Sequence, residues 1–499
     1  MKSSQLIVVS NRLPLTVVEE QGEPRIRPSS GGLVTALHPI LRDQGGTWVG
    51  NAGTEEDPKL TELLQEAARQ EGFEVVPLYV SEEEEENYYE GFSNQVLWPL
   101  FHDFIGECRF EPKYWEFYRH VNVKFADATM KVYEQHLRSK SRPSAAEGGG
   151  KQVIAEAEDA AQTIWVHDYQ LMDVASSLRQ RGCRAQIAFF LHTPFPSYDV
   201  FAKLPWRRKL LLSLLQFDLI GMQTERDTRN LVSCLRRLVP EAVLTSAHGA
   251  HHLNFEGRKI ILQDFPISID FEEFSDAAHQ PEVETRMRSI LSSLGGGQMI
   301  FGVDRQDYTK GIPHRLQAYA ELLHRRPELV GKVRLVQIVV PSRTRIPGYE
   351  ALKSRIEHLV ASINGEFTQP NWAPIHYIHR SISNEELLAL YRSADVALVT
   401  PLKDGMNLVA KEFCAARVDH RGVLVLSEFA GAAAEMYRGA LLVNPFDLEG
   451  VAAALEEALF MPVAQQQERM RRMRRFLRSA NVHRWVNEFL EKVEASRTS

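Results

Sequence analysis

The chain has 499 residues, of which 44% are hydrophobic and 25% charged, with a formal net charge of −7. This is the composition of a folded globular protein, long enough for several domains of roughly 100–200 residues each. The acidic balance argues against a nucleic-acid partner, which favours a basic face, but a few local Arg and Lys suffice for phosphorylated small molecules.

The first apolar run, Leu6–Val9, is too short for the core of a signal peptide. Candidate strands follow in order: Gln5–Ser10, Ile164–His167, Ile187–Leu191, Leu219–Met222, Met299–Val303, Val333–Val340, Val396–Thr400 and Val423–Ser427. Each is apolar along its length rather than alternating, as in strands covered on both faces by helices. Longer amphipathic segments separate them, so an α/β protein with two parallel-sheet domains is expected, with a boundary near Pro266–Asp270. Ser139 to Gln152, with its Pro, Ser and Gly triplet, reads as an exposed loop. The acidic run Glu82–Glu86 reads as a solvated helix start or loop rather than an acidic tail. Arg469–Arg475 reads as the charged face of a C-terminal helix. The apolar stretch Leu210 to Met222 is broken by Ser213, Gln216 and Asp218 and falls short of the ~20 residues of a membrane span. Cys108, Cys183, Cys234 and Cys414 form no CxxC pair, which favours a reducing compartment over disulfides or zinc. A cytoplasmic protein is expected, with no membrane and no nucleic acid among its partners.

Ligands of parallel sheets bind beyond the carboxyl ends of the strands, so the residues after each strand carry the chemistry. Asn11-Arg12 follows the first strand, and Ser29-Ser30-Gly31-Gly32-Leu33 then opens a helix. Glycines there admit an anion to backbone N–H groups, or simply make a turn. His167-Asp168-Tyr169 and His192-Thr193-Pro194 follow the next two strands. Such residues are usually satisfied core or capping groups, but two polar ends in one domain point towards sugar hydroxyls. Asp304-Arg305-Gln306-Asp307-Tyr308-Thr309-Lys310-Gly311 carries two cations five apart, which can face a diphosphate or form a surface salt-bridge loop. Pro341-Ser342-Arg343 adds another Arg at a strand end. Pro401 to Glu412 passes through a Gly turn into a helix whose N-terminus can hold a phosphate, with Glu412 further along for ribose hydroxyls. No Asp-x-Asp occurs, so the usual metal–diphosphate motif is missing. No metal or cofactor is expected, and Arg305, Lys310 and backbone dipoles would stabilise a leaving diphosphate.

The segments "VVSNRLP", "SSGGL", "YYEGFSNQVLWPLFH", "WVHDYQL", "FFLHTPFPS", "VDRQDYTKGIPHRL", "VPSRT", "INGEF", "TPLKDGMNLVAKEF", "LSEFAGAA" and "LLVNPFD" resemble the trehalose-6-phosphate synthase family, from about residue 5 to about residue 495. The resemblance implies two Rossmann-like domains facing across a cleft (GT-B type). It implies residues 1–265 as the acceptor domain, 266–460 as the nucleotide-sugar domain, and a helical segment 461–499 packing back on the first. It implies metal-independent, retaining glucosyl transfer from a nucleotide-sugar, typically UDP-glucose, to glucose 6-phosphate. Arg12, Tyr89, Trp98 and Arg343 match acceptor-phosphate binders, and Asp168 the residue gripping the acceptor sugar. His192 matches a donor-glucose contact near the reacting centre. Arg305 and Lys310 match the diphosphate clamp, and Gly32 joins the donor set. Asp404, Gly405, Met406 and Asn407 match the donor-sugar and phosphate loop, Leu408 and Val409 its backbone donors, Glu412 the ribose ligand and Ile382 a position beside the base. His192, Arg305, Lys310 and Asp404 would carry the catalysis.

The chain departs from the family pattern at four places. Asn51 stands where Trp is usual, Gln170 for a second His, Gln306 for Leu and Ser268 for Gly. Asn51 and Gln170 flank the acceptor pocket, so glycerol 3-phosphate, giving glucosylglycerol phosphate, is the rival acceptor. Tyr89 and "FSNQVLWP" favour glucose 6-phosphate. A catalytically silent sugar-phosphate sensor is the rival of another class, and Arg12, Asp168, His192, Arg305, Lys310, Asp404 and Glu412 argue against it. The nucleobase and the oligomeric state, homo-oligomer included, stay open.

Overall fold

The computed structural model describes residues 6–20, 23–29, 32–140, 162–247, 249–343 and 346–497. Contacts divide the chain into two compact units, one running up to Pro266 and resuming at Trp485, the other Ile267–Arg484. The segment 461–499 is therefore shared: the helix Val463–Ser479 belongs to the second unit, and residues from Trp485 onward to the first.

In the first unit the strands are β1 Leu6–Arg12, β2 Leu15–Glu20, β3 Glu23–Pro28, β4 Thr47–Asn51, β5 Glu74–Leu78, β6 Thr163–His167, β7 Gln186–Phe190, β8 Leu219–Met222, β9 Val243–Ala247, β10 Ala250–Phe255 and β11 Arg258–Asp264. Nine of them form one sheet in the order β5-β4-β1-β6-β7-β8-β11-β10-β9, and β2 with β3 form a hairpin of their own. The strands from β5 to β11 run parallel, whereas β10 and β9 extend the edge antiparallel. Central strands β1, β6 and β7 are buried almost throughout, and their apolar runs make them readable in the sequence. β9 and β10 escaped that reading because "VLTSA" and "AHHLNF" interleave polar residues at a half-exposed edge.

The second unit continues with β12 Gln298–Arg305, β13 Val333–Val340, β14 Ile375–Ile378, β15 Val396–Val399, β16 Val423–Ser427 and β17 Leu441–Val443. These six pair in parallel, in the order β14-β13-β12-β15-β16-β17. Leu335 and Leu398 of the sheet and Leu316, Tyr319 and Ile356 of the covering helices are wholly buried in one core.

Two local expectations are refined. Ser81 caps the acidic run through a reciprocal bond with Glu84, so the run does start a helix. Glu84 itself is buried and held by Lys124 Nζ at 2.8 Å, because the helix Pro112–Lys140 packs over it. The chain then winds from Glu85 to Leu97 as a π-helix, ending with Trp98 N bonded to Ser93 O five residues back. Arg474 of the Arg-rich stretch is buried and donates to Cys414 O at 2.9 Å, so that stretch is not a charged face alone. Of the loop expected over 139–152, Ser139 and Lys140 end the helix Pro112–Lys140, and the rest lies outside the described residues. Gly31 and Gln5 also lie outside them. Among the described residues, no helix is long and apolar enough to cross a membrane.

Candidate functional site

In the first unit, β1 breaks register between Val9 and Arg12. The irregularity frees Asn11 to accept from Tyr88 OH at 2.8 Å and sends exposed Arg12 over the ring of Tyr89, 5.5 Å from its centroid. Tyr89 is carried by the π-helix, and Trp98 follows at its end, buried 5.7 Å from the ring of Tyr169. Asn51, at the end of β4, is buried and turns its Oδ1 onto Gly53 N at 3.0 Å. That Asx-type bond occupies the side chain that replaces the family's Trp. Gln170 is also buried, and its backbone carbonyl accepts from Asn122 Nδ2 at 3.0 Å. Gly32 opens the helix Gly32–Gln44.

Asp168 and His192 end neighbouring strands β6 and β7 and meet: His192 N donates to Asp168 Oδ1 at 3.1 Å. Asp168 holds φ +75° and ψ 168°, a conformation that costs a non-glycine residue about 1–3 kcal/mol. Its own N–H bond to Phe190 O at 2.8 Å helps hold it there. Burial pushes the His192 imidazole down to about 3, so it is neutral at physiological pH.

In the second unit, Lys310 Nζ lies 2.6 Å from Asp404 Oδ2, which also accepts from Asn407 Nδ2 at 3.1 Å. Asn407 caps the helix Leu408–Ala416 at φ +81°, its Oδ1 taking Ala410 N at 3.3 Å. The helix thus starts at this ion pair, where its unpaired N–H groups favour an anion. Gly405 and Met406 are buried in the same turn, and Leu408 and Val409 are half-buried in the first turn of the helix. Glu412 lies one turn further, with Tyr391 OH on its Oε2 at 2.9 Å. Burial raises the Glu412 carboxyl above its ordinary value, against the lowering effect of that bond. Ile382 is half-buried in the turn between β14 and the helix Asn384–Ser393.

Exposed Arg305 ends β12. Arg343, at φ +49°, donates to Tyr349 OH at 2.7 Å and Asp307 Oδ2 at 3.3 Å. Burial acts to raise the Asp307 carboxyl, but Arg343, Lys310 and Arg305 outweigh it and hold the group below its ordinary value. Gln306, in place of the family's Leu, is buried and fully engaged, with Nε2 on Tyr349 O at 2.6 Å and Oε1 on His379 Nε2 at 2.7 Å. Ser268 Oγ is buried without a partner.

Sequence reasoning missed the groups that hold these residues in place. Arg315 is wholly buried; it donates to Asp304 Oδ2 at 2.5 Å, Gln337 Oε1 at 3.1 Å and Thr400 Oγ1 at 3.1 Å, tying β12, β13 and the residue after β15 together beneath the Lys310 loop. Its signal in the sequence, one Arg in an amphipathic helix, is that of any surface residue. Asp307 stood in the quoted motif but was given no part. Six described non-glycine residues have positive φ, and three of them are Asp168, Arg343 and Asn407. Strain held in this way concentrates at functional positions.

A model of glycosyltransferase family 20 matches residues 4–137 and 150–495. The trehalose-6-phosphate synthase of Mycolicibacterium vanbaalenii is 40% identical over 494 residues, covering 98% of this chain and 95% of that protein. The alpha,alpha-trehalose-phosphate synthase (UDP-forming) of Burkholderia xenovorans, solved in complex with glucose-6-phosphate, superposes with a TM-score of 0.82 at 34% identity, covering 98% of this chain and all of that one. An E. coli structure described as trehalose-6-phosphate bound with UDP-2-fluoro glucose gives a TM-score of 0.83 at 33% identity over 98% of this chain and 99% of that one. The two-sheet α/β architecture is accordingly of the GT-B type.

Proposed function

The chain belongs to glycosyltransferase family 20, and from that premise we propose that it moves glucose from UDP-glucose to glucose 6-phosphate, giving α,α-trehalose 6-phosphate. The Lys310–Asp404–Asn407 cluster at the start of the helix Leu408–Ala416 carries this reading. A cation, a carboxylate and backbone N–H groups meet there beyond a strand end, which is the chemistry a sugar diphosphate requires. The molecules named with the two solved relatives, a UDP-glucose analogue and glucose-6-phosphate, support the choice of donor and acceptor.

In this reading the diphosphate draws Lys310 away from Asp404, freeing that carboxylate for the glucosyl hydroxyls. Arg305 and Lys310 neutralise the charge that grows on the leaving diphosphate, with Leu408 and Val409 as its backbone donors, and Gly32 belongs to the donor set. Gly405, Met406 and Asn407 shape the sugar and phosphate loop, Glu412 takes the ribose and Ile382 flanks the base. Arg12, Tyr89, Trp98 and Arg343 bind the acceptor phosphate and Asp168 its sugar. The bond from the anomeric carbon to the diphosphate oxygen breaks as the bond to the acceptor oxygen forms on the same face. The acceptor hydroxyl proton passes to a leaving-phosphate oxygen, so no protein nucleophile and no metal take part. His192 and Asp404 steady the ring as positive charge develops, and a neutral imidazole does so without repelling it. The four cysteines are free thiols, which suits a reducing, cytoplasmic setting.

The test pairs UDP-, ADP- and GDP-glucose with glucose 6-phosphate and glycerol 3-phosphate, EDTA present, with products read by mass. Trehalose 6-phosphate from UDP-glucose is expected. Preference for glycerol 3-phosphate, or binding without turnover, would replace this reading with a glucosylglycerol-phosphate synthase or a sensor.

A further inference from the structure

We propose that His167 is a positioning residue that donates its Nδ1–H to His192 Nε2 and so leaves His192 a neutral imidazole with its proton on Nδ1, the atom that meets the donor sugar. The inference rests on the reading of His192 as a donor-glucose contact.

His167 is the last residue of β6 and is wholly buried. Its Nδ1 lies 3.2 Å from Nε2 of His192. Its other face packs with Trp165, ring centroids 4.7 Å apart, and its Nε2 is buried with no hydrogen-bond partner. His192 is half-buried, with the edge of Phe190 at 4.7 Å and the ring of Trp485 at 6.4 Å. Within the described residues, its Nδ1 takes no hydrogen bond, so this is the ring atom left for a ligand.

One hydrogen lies between the two facing nitrogens, and a neutral imidazole carries one N–H. If His192 supplied that hydrogen, His167 would hold its own on Nε2, a buried N–H with no acceptor. If His167 supplies it, Nε2 keeps only a bare lone pair, and orphaned buried N–H groups are the rarer of the two. His167 therefore donates, His192 Nε2 accepts, and the His192 hydrogen sits on Nδ1. The same bond occupies the lone pair that a proton would need to charge His192. Both rings are kept neutral by burial, and His192 further opposes a charge on His167. The result is an uncharged hydrogen-bond donor beside a centre that becomes positive. Asp168 fixes the backbone of the same residue through His192 N, so ring and main chain are oriented by adjacent residues of one strand end.

The measurement is the ¹⁵N–¹H spectrum of histidine-labelled full-length protein, with the two signals identified by substitution. Two imidazoles protonated on Nδ1, unchanged from pH 8 to pH 5, are expected. His167→Asn keeps a donor at the Nδ1 position and should preserve the His192 signature and most of kcat. His167→Leu should shift the His192 hydrogen towards Nε2 and lower kcat by on the order of ten- to hundredfold, as loss of the bond that orients a functional imidazole does, with the UDP-glucose KM little changed. If His167→Leu does not fold, the unsubstituted spectrum and His167→Asn decide. His192 protonated on Nε2 in the unsubstituted chain overturns the proposal, as does a His167→Leu enzyme with full kcat. A chain with both Nδ1–H signals but no trehalose 6-phosphate would instead overturn the proposed function and leave the His167–His192 assignment standing.

Discussion

Lys310 Nζ sits 2.6 Å from Asp404 Oδ2, although the two residues are 94 positions apart. The pair holds a cation at the mouth of a helix, and in the proposed function that cation exchanges its carboxylate for a diphosphate. Lys310→Ala is expected to lower kcat by 10²–10³, equal to about 3–4 kcal/mol of lost transition-state stabilisation. Steady-state kinetics with UDP-glucose check this, and near-normal turnover would remove Lys310 from the chemistry.

Arg343 and Asp307 make the second relationship with a measurable consequence. The Asp307 carboxylate is held below its ordinary value when folded, so its contribution to stability is present above the unfolded value near 3.8 and fades as pH falls through the lower folded value. Arg343→Ala removes one of the cations that keep it charged while leaving it buried. Such a break costs about 3 kcal/mol, and acid unfolding should begin at a higher pH. Urea titrations of both proteins between pH 3 and pH 7 would reveal it; identical acid limbs would contradict it.

Gly431 packs against the Asp404 loop, and a Cβ there would come within 1.9 Å of Gly405 O. Gly431→Ala must push that turn away from the strand end. A loss of about 1–3 kcal/mol in stability is expected, with a marked fall in kcat. Thermal unfolding and kinetics on the same sample test it, and an unaltered enzyme would show that the turn has room to give.

Glu412, the proposed ribose ligand, accepts from Tyr391 OH. Glu412→Gln keeps the shape but loses charge-assisted bonds worth about 1.5–3 kcal/mol. The donor KM should rise about ten- to hundredfold and the glucose 6-phosphate KM should stay. A rise in both would point to a general structural role.

Much of the sheet framework was legible because buried parallel strands read as unbroken apolar runs, and the candidate residues were legible because they follow those runs. β17 has only three residues, and β14, Ile-His-Tyr-Ile, is interrupted by an exposed His, so neither reads as an unbroken apolar run. Arg315 and Lys411 carry no signal of their own and Glu84 reads as part of a solvated acidic run, since a charged residue in a helix is ordinarily solvated. Lys411 is instead wholly enclosed, bonded to Ile267 O and Glu435 Oε2 at 2.7 Å each. Only tertiary packing reveals such a residue. The departures at Asn51 and Gln306 were visible as letters, but their bonds to Gly53 and His379 depend on turns that no local pattern encodes.

The proposed activity is retaining, metal-independent synthesis of α,α-trehalose 6-phosphate. Its most direct test follows purified protein with UDP-[¹³C]glucose and glucose 6-phosphate in EDTA by NMR. One UDP per disaccharide phosphate and an α signal from the labelled anomeric carbon are expected. A β linkage, a reaction abolished by EDTA, or no disaccharide at all would contradict it.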